Sequence, residues 1–481
     1  MEALGEAMII ERITACLCGM LVSIATLAAA ASPVVSPAVN PFADNNGQIP
    51  TEAEYRGPLF TMSHRYPIQL APPAMPWRTA IGNGQINVQN APLYAEALKA
   101  AVAKDMQTLL FNYDNWDAAQ RGWYNEPWLG SQREAIHGTH VATSSFDPSL
   151  FRASGLAKPM TTYALTYFDK TAALTLGRIW GASAMKPQIT TTATQYAEGS
   201  IIVKAAFVTA GPDNWPVMAG TQVWPLYITT NATTGQNDKP TVTNTYLMQL
   251  DIVVKDSKSA PKTGWVFTTL VYDRNVAPAA NGMWDQMVPL GAQWGNDPQA
   301  NSTVNPAAPL LENWVNPNAP LYATETLGWG ERLSGPNDGA MNDISVLENG
   351  GRVYLKNAKV SSCLSCHSSA QWKASDPAQG MQSFLLPLVP PTPSASVAPL
   401  GGQPYLNSPP PGSSDWMKWF QNRPGTLPMD AGSVAADFNL GLTFKALPAW
   451  FKATTGKEHA LGTTDRTGKA LQRDYNGKQE K

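Results

Sequence analysis

Between Thr243 and Asp256 the chain reads TNTYLMQLDIVVKD, and apolar side chains recur at every second position: Tyr246, Met248, Leu250, Ile252 and Val254. A period of two assigns a β-strand with those residues on one face and Thr245, Leu247, Gln249, Asp251 and Val253 on the other. The polar, proline-containing KDSKSAPKTG then leads into the β-branched and aromatic WVFTTLVY, so the two runs are expected to pair antiparallel. TTYALTYFD, GSIIVKAAFVTA and TQVWPLYITT supply further strands, whereas helical spacing is concentrated in APLYAEALKAAVAKDMQTLLFNYDNW. Residues 90–300 are therefore expected to form a mostly antiparallel, sandwich-like β-domain with a leading helix, after an extended segment over 32–89.

Beyond this region the periodicity weakens. Residues 301–346 read as a loop-rich linker, and VPPTPSASVAPLGGQPYLNSPPPGSS as loop. VAADFNLGLTFKALPAWFK reads as a C-terminal helix that Pro448 bends or ends. The polar, mixed-charge stretch 453–481, which carries His459, is expected to be disordered. At the other end, Ile13–Ala31 carries no charge and closes on a run of alanines. It reads as a signal peptide over 1–31, with translation starting at Met8 and cleavage near Ala30 or Ala31. Export to the periplasm or beyond follows from that reading. A retained anchor is the alternative, and only then is a membrane expected as a partner. The 34 basic and 36 acidic residues nearly cancel, which argues against a nucleic-acid partner.

Export gives the four cysteines meaning. Cys16 and Cys18 lie in the segment that would be removed, leaving Cys363 and Cys366 in SSCLSCHSS, followed at once by His367. A structural zinc site needs four ligands, and no second C-x-x-C exists to accompany His64, His137, His140 and His459. A redox dithiol belongs at a helix start in a βαβ unit and leaves His367 unexplained. Covalent haem accounts for every element: two thiols for the vinyl groups and an adjacent histidine for the iron.

From about Leu347 to Phe451 the chain resembles the monohaem class I c-type cytochrome domain. The resemblance rests on GGRVYLKNAKVSSCLSCH and on NRPGTLPMDAG followed by a helix-like run. It implies a small all-α domain over 347–452 holding one haem c, with Cys363 and Cys366 as attachment residues and His367 as proximal ligand. It also implies redox partner proteins and a methionine as distal ligand. Met429, in PGTLPMD, is favoured over Met381 and Met417, with an open sixth position as the competing arrangement. Gly351 and Tyr354 lie farther from Cys363 than the family's pattern has them, so its N-terminal helix is expected to be displaced or replaced.

The function expected is one-electron transfer between redox partners. The alternative is a haem enzyme or oxidoreductase subunit whose β-domain binds a substrate at an open iron. Residues 121–140, RGWYNEPWLGSQREAIHGTH, bring His137 and His140 together with Glu126, Arg133 and Glu134. An acid–base pair or metal site is one reading, and a surface loop is the other. No Gly-rich dinucleotide fingerprint and no G-x-S-x-G follows a strand.

Overall fold

Every period-two run forms the strand it predicts. The computed structural model describes residues 40–229, 239–377, 385–388, 396–397 and 405–456. The signal-peptide segment, Met381 and His459 lie outside the described residues. The strands of the main sheet are β1 (Trp123–Tyr124), β2 (His140–Phe146), β3 (Met160–Asp169), β4 (Ile201–Val208), β5 (Val223–Ile228), β6 (Thr241–Lys255), β7 (Trp265–Tyr272), β8 (Met287–Gln293) and β9 (Asn313–Val315). They run in the order β1-β3-β4-β6-β7-β8-β9, with β2 on β3 and β5 on β6, and every pairing is antiparallel.

The two faces of this sheet carry different cores. On one face Leu165, Val203, Phe207, Leu250, Ile252 and Val254 meet Leu98, Val102, Met106 and Leu110 of the helix Ala91–Phe111. Each such fully buried aliphatic side chain contributes about 1.5–3 kcal/mol. On the other face Phe168, Met248, Phe267 and Val271 meet Leu176 and Ile179 of the helix Lys170–Trp180, together with Leu364 and Leu442. Helices and irregular segments therefore cover the sheet, where a sheet-on-sheet sandwich was expected.

β6 departs from strict alternation at one place. Ala206 of β4 faces Gln249, but the next residue, Phe207, faces Leu247, so Met248 is an extra residue in a β-bulge. Leu247 consequently joins Leu250, Ile252 and Val254 on the helix 91–111 face. Tyr246 and Met248, expected beside them, turn to the opposite face with Val253. A bulge shifts side-chain parity by one, which period-two reading cannot register.

The expected all-α domain over 347–452 is not what the described residues form there. β10 (Met341–Glu348) and β11 (Gly351–Lys359) make a hairpin whose two-residue turn is Asn349–Gly350, both at positive φ. That dipeptide and conformation are the usual solution for a tight hairpin. β12 (Gln371–Trp372) pairs with β15 (Val434–Ala435), and β13 (Ser396–Val397) and β14 (Tyr405–Asn407) extend the β10–β11 sheet. Among the described residues the α- and π-helical segments here are Cys363–His367, Ser414–Met417, a π-helical run Gly441–Ala446 and Leu447–Thr455. The last two form one continuous helical segment that changes from π to α geometry just before Pro448, so the expected C-terminal helix is present and is irregular next to that proline. No described helix is long and apolar enough to cross a membrane.

Candidate functional site

The five-residue helix Cys363–His367 is short but tightly specified. Ser362 caps it: its hydroxyl accepts from Ser365 N, and Ser365 Oγ accepts from Ser362 N. Gln293 at the end of β8 accepts from Leu364 N at 3.0 Å and donates to Ser362 Oγ at 3.2 Å. Leu364 is sealed into the core beneath. The i, i+3 spacing puts Cys363 and Cys366 on one side of the helix. Both thiols and His367 line a single cavity of about 270 Å³, close to the lower limit of small-molecule pockets at ~300 Å³.

The floor of that cavity is the face of the main sheet opposite the helix 91–111. Thr166 and Phe168 of β3, Ile202 and Lys204 of β4, Asp251 and Val253 of β6, and Phe267 and Thr269 of β7 look into it. These are alternate residues on neighbouring strands, as pleating requires. Lys204 Nζ reaches Asp251 at 2.9 Å and Asp338 at 3.0 Å. Cys363 Sγ donates to the other Asp338 oxygen at 3.4 Å. Burial works against the charge on Lys204, but the two carboxylates outweigh it and raise its pKa. Burial holds Asp251 above the usual carboxylate range. Lys204 and the Gly335 N–H overcome burial at Asp338 and hold it below that range.

His367 is held by one specific bond. Its Nδ1 lies 2.8 Å from the Phe438 carbonyl, which can only accept, so Nδ1 carries the proton and Nε2 keeps its lone pair. Burial keeps the imidazole neutral, with its pKa lowered to about 4. The ring also packs on Phe267, centroids 4.8 Å apart. The carbonyl is aimed by an unusual backbone, since Asp437 (φ 45°) and Phe438 (φ 68°) are consecutive left-handed residues without being glycine. The Asp437 carboxylate secures them. It accepts from Lys255 at 2.7 and 2.9 Å, from Trp265 Nε1 at 2.7 Å and from Tyr196 N at 2.8 Å. Gly425 is required beside it, because a Cβ there would overlap the Asp437 carboxylate.

The pair His137 and His140 separates. His137 is a core residue: it stacks on Trp224 at 4.0 Å, packs on Tyr113 at 4.2 Å, and its Nδ1 meets Pro225 O at 3.1 Å. His140, at the start of β2, lines the cavity with Cys363, Cys366 and His367. Glu126 and Arg133 line it too, whereas Glu134 is internal. The buried Glu134 carboxylate accepts from the N–H groups of Ile136, His137, Thr139 and Tyr227 and so shapes the loop. Burial lowers the His137 pKa to about 3. The unfolded chain therefore binds the extra proton between about pH 3 and the ordinary histidine value near 6.5, and stability falls as pH drops through that window. His137→Phe keeps the stack and removes the titration. Urea unfolding at pH 7 and pH 4 is expected to show wild type losing more stability than the variant, by roughly 2–4 kcal/mol; equal losses would rule this account out.

Met429 is placed elsewhere. With Met417 it packs on a third cluster around Ile344, Leu406, Trp416 and Phe420, and neither methionine is among the residues lining the cavity. The residues that join the C-x-x-C-H group without any signal in local spacing are Lys204, Asp251, Asp338 and Lys445. Burial lowers Lys445 to about 7 and raises Glu126 to about 7.

The three readings of the C-x-x-C-H group can be weighed against this geometry. Among the described residues no cluster of three or more His, Cys, Asp or Glu side chains is arranged to hold a metal ion by itself, so a zinc site finds no ligand set. Burial, reinforced by Asp338, raises both thiols, Cys366 to about 12, whereas a redox dithiol needs a thiol lowered toward neutrality. A covalently attached haem fits the donor set: two thiols and an imidazole Nε2 on one cavity, with Nδ1 occupied by a carbonyl as iron-ligating histidines generally require. No family model, curated protein or solved structure matches the chain.

Proposed function

We propose that this protein is an exported c-type haem protein that passes single electrons between redox partners. The observation that carries the reading is the His367 Nδ1 to Phe438 O bond of 2.8 Å, in the same cavity as Cys363 and Cys366. Cys363 and Cys366 would hold the haem through thioethers, and His367 Nε2 would be the proximal ligand. A haem bound there supplies a ferric/ferrous couple whose potential depends on its ligands and surroundings. The chain's own contribution is to keep the proton on Nδ1, to orient the ring against Phe267, and to present an apolar wall of Phe168, Ile202 and Phe438. Exclusion of water by such a wall raises the cost of a charged iron and so tunes the potential.

A haem enzyme is the second reading, favoured by a cavity that also holds Glu126, His140 and Lys445. The test is an absorption spectrum of protein matured with haem c machinery, followed by redox titration. A c-type spectrum that survives denaturation and reverses fully between oxidised and reduced forms is expected. A protein that matures without covalent haem would overturn the proposal.

A further inference from the structure

We infer that His140, from the main sheet, is the second axial ligand of the haem; this rests on the haem reading above and replaces a methionine by an imidazole. Four of the five histidines are described, and two of them, His140 and His367, line the same cavity as both cysteines. His140 is buried, at 6% exposure. It is also delivered by a rigid element. Its backbone pairs with Ala164 of β3, and the residues before it are locked by Glu134 and by the stacked His137. Gly138, at φ 71°, turns so close to Phe60 that any side chain there would collide with the ring. Such pre-organisation is what a ligand supplied from outside the C-x-x-C-H segment needs.

The other groups on the cavity fit the role less well. Lys204 is bound to Asp251 and Asp338 at 2.9 and 3.0 Å. Arg133 has no lone pair to give. Lys445 belongs to the stretch that already holds His367 through Phe438, whereas axial ligands approach iron from two sides and His140 comes from a different element. Met429 and Met417 are packed in the third cluster.

The test uses the matured holoprotein. Wild type is expected to be low-spin in both oxidation states, to lack a thioether charge-transfer band, and to show no spectral shift with carbon monoxide. His140→Ala is expected to retain haem on a denaturing gel, become high-spin, bind carbon monoxide to saturation when reduced, and return to low-spin with added imidazole. His140→Met, a second variant of similar size, is expected to gain the thioether band. Met429→Ala is expected to leave the spectrum unchanged, and Lys445→Ala, which removes a charge from the cavity, is expected to keep the haem low-spin and closed to carbon monoxide. Rapid carbon monoxide binding by wild type, a thioether band in wild type, or conversion by Lys445→Ala or Met429→Ala would overturn His140 as ligand while leaving the covalent haem in place. Absence of covalent haem in wild type overturns both.

Discussion

Asp437→Ala is expected to destabilise the protein by about 3–5 kcal/mol, the cost of breaking a buried ion pair and leaving its partner charged. The Asp437 side chain is fully buried and Lys255 retains only 11% exposure. Alanine would also strand the Trp265 Nε1–H and the Tyr196 N–H, each now bonded to the carboxylate. Against a total of ~5–15 kcal/mol for a folded domain, the loss is large. A second effect distinguishes this site from an ordinary buried pair. Left-handed conformations at non-glycine residues cost about 1–3 kcal/mol each and persist only where the surroundings enforce them. Without the carboxylate, residues 437 and 438 are expected to relax and withdraw the Phe438 carbonyl from His367. Denaturant unfolding measures the first effect, and nitrogen NMR of the His367 ring measures the second, as loss of a single Nδ1–H tautomer. Asp437→Asn keeps an acceptor for only one of Trp265 Nε1 and Tyr196 N, which bond to different carboxylate oxygens, and should fall between wild type and alanine. A loss below ~1 kcal/mol with the tautomer intact would refute the clamp.

Replacing Cys363 and Cys366 together by alanine is expected to abolish haem staining on a denaturing gel. Each single variant should keep one thioether and stain more weakly. The fold should tolerate the changes, because Leu364, Ser362 and Gln293 anchor the helix independently of the thiols. Cys363→Ala removes in addition the 3.4 Å contact to Asp338, but the Lys204 pair remains to satisfy that carboxylate. His367→Ala should leave the thioethers and remove the native axial spectrum. Full staining of the double variant would exclude thioether attachment at these positions.

The strands and the long helix were legible because their pattern is local. β3 to β7 and Ala91–Phe111 each declare themselves within a window of a dozen or so residues. The C-x-x-C-H group was legible for the same reason, since its three donors fall within one short helix. The region after Leu347 was misread where local pattern and resemblance pointed the same way. The β10–β11 hairpin around Asn349–Gly350 stands where the family's N-terminal helix was expected to be displaced or replaced, while the strands around it carry no period-two pattern long enough to read.

Period and spacing thus account for β3 to β7 and the helix Ala91–Phe111, and the C-x-x-C-H motif groups Cys363, Cys366 and His367. They act through neighbours in the chain, and the chain carries them openly. The rest came from packing between distant segments. Lys204 and Asp338 are 134 residues apart, Lys255 and Asp437 are 182 apart, and Phe438 lies 71 residues beyond the histidine it orients. The separation of His137 into the core and His140 into the cavity likewise depends on which strand each side chain meets. So does the bulge at Met248, which sets the facing of β6. Pairing across a sheet makes such contacts between segments whose sequences bear no local trace of one another.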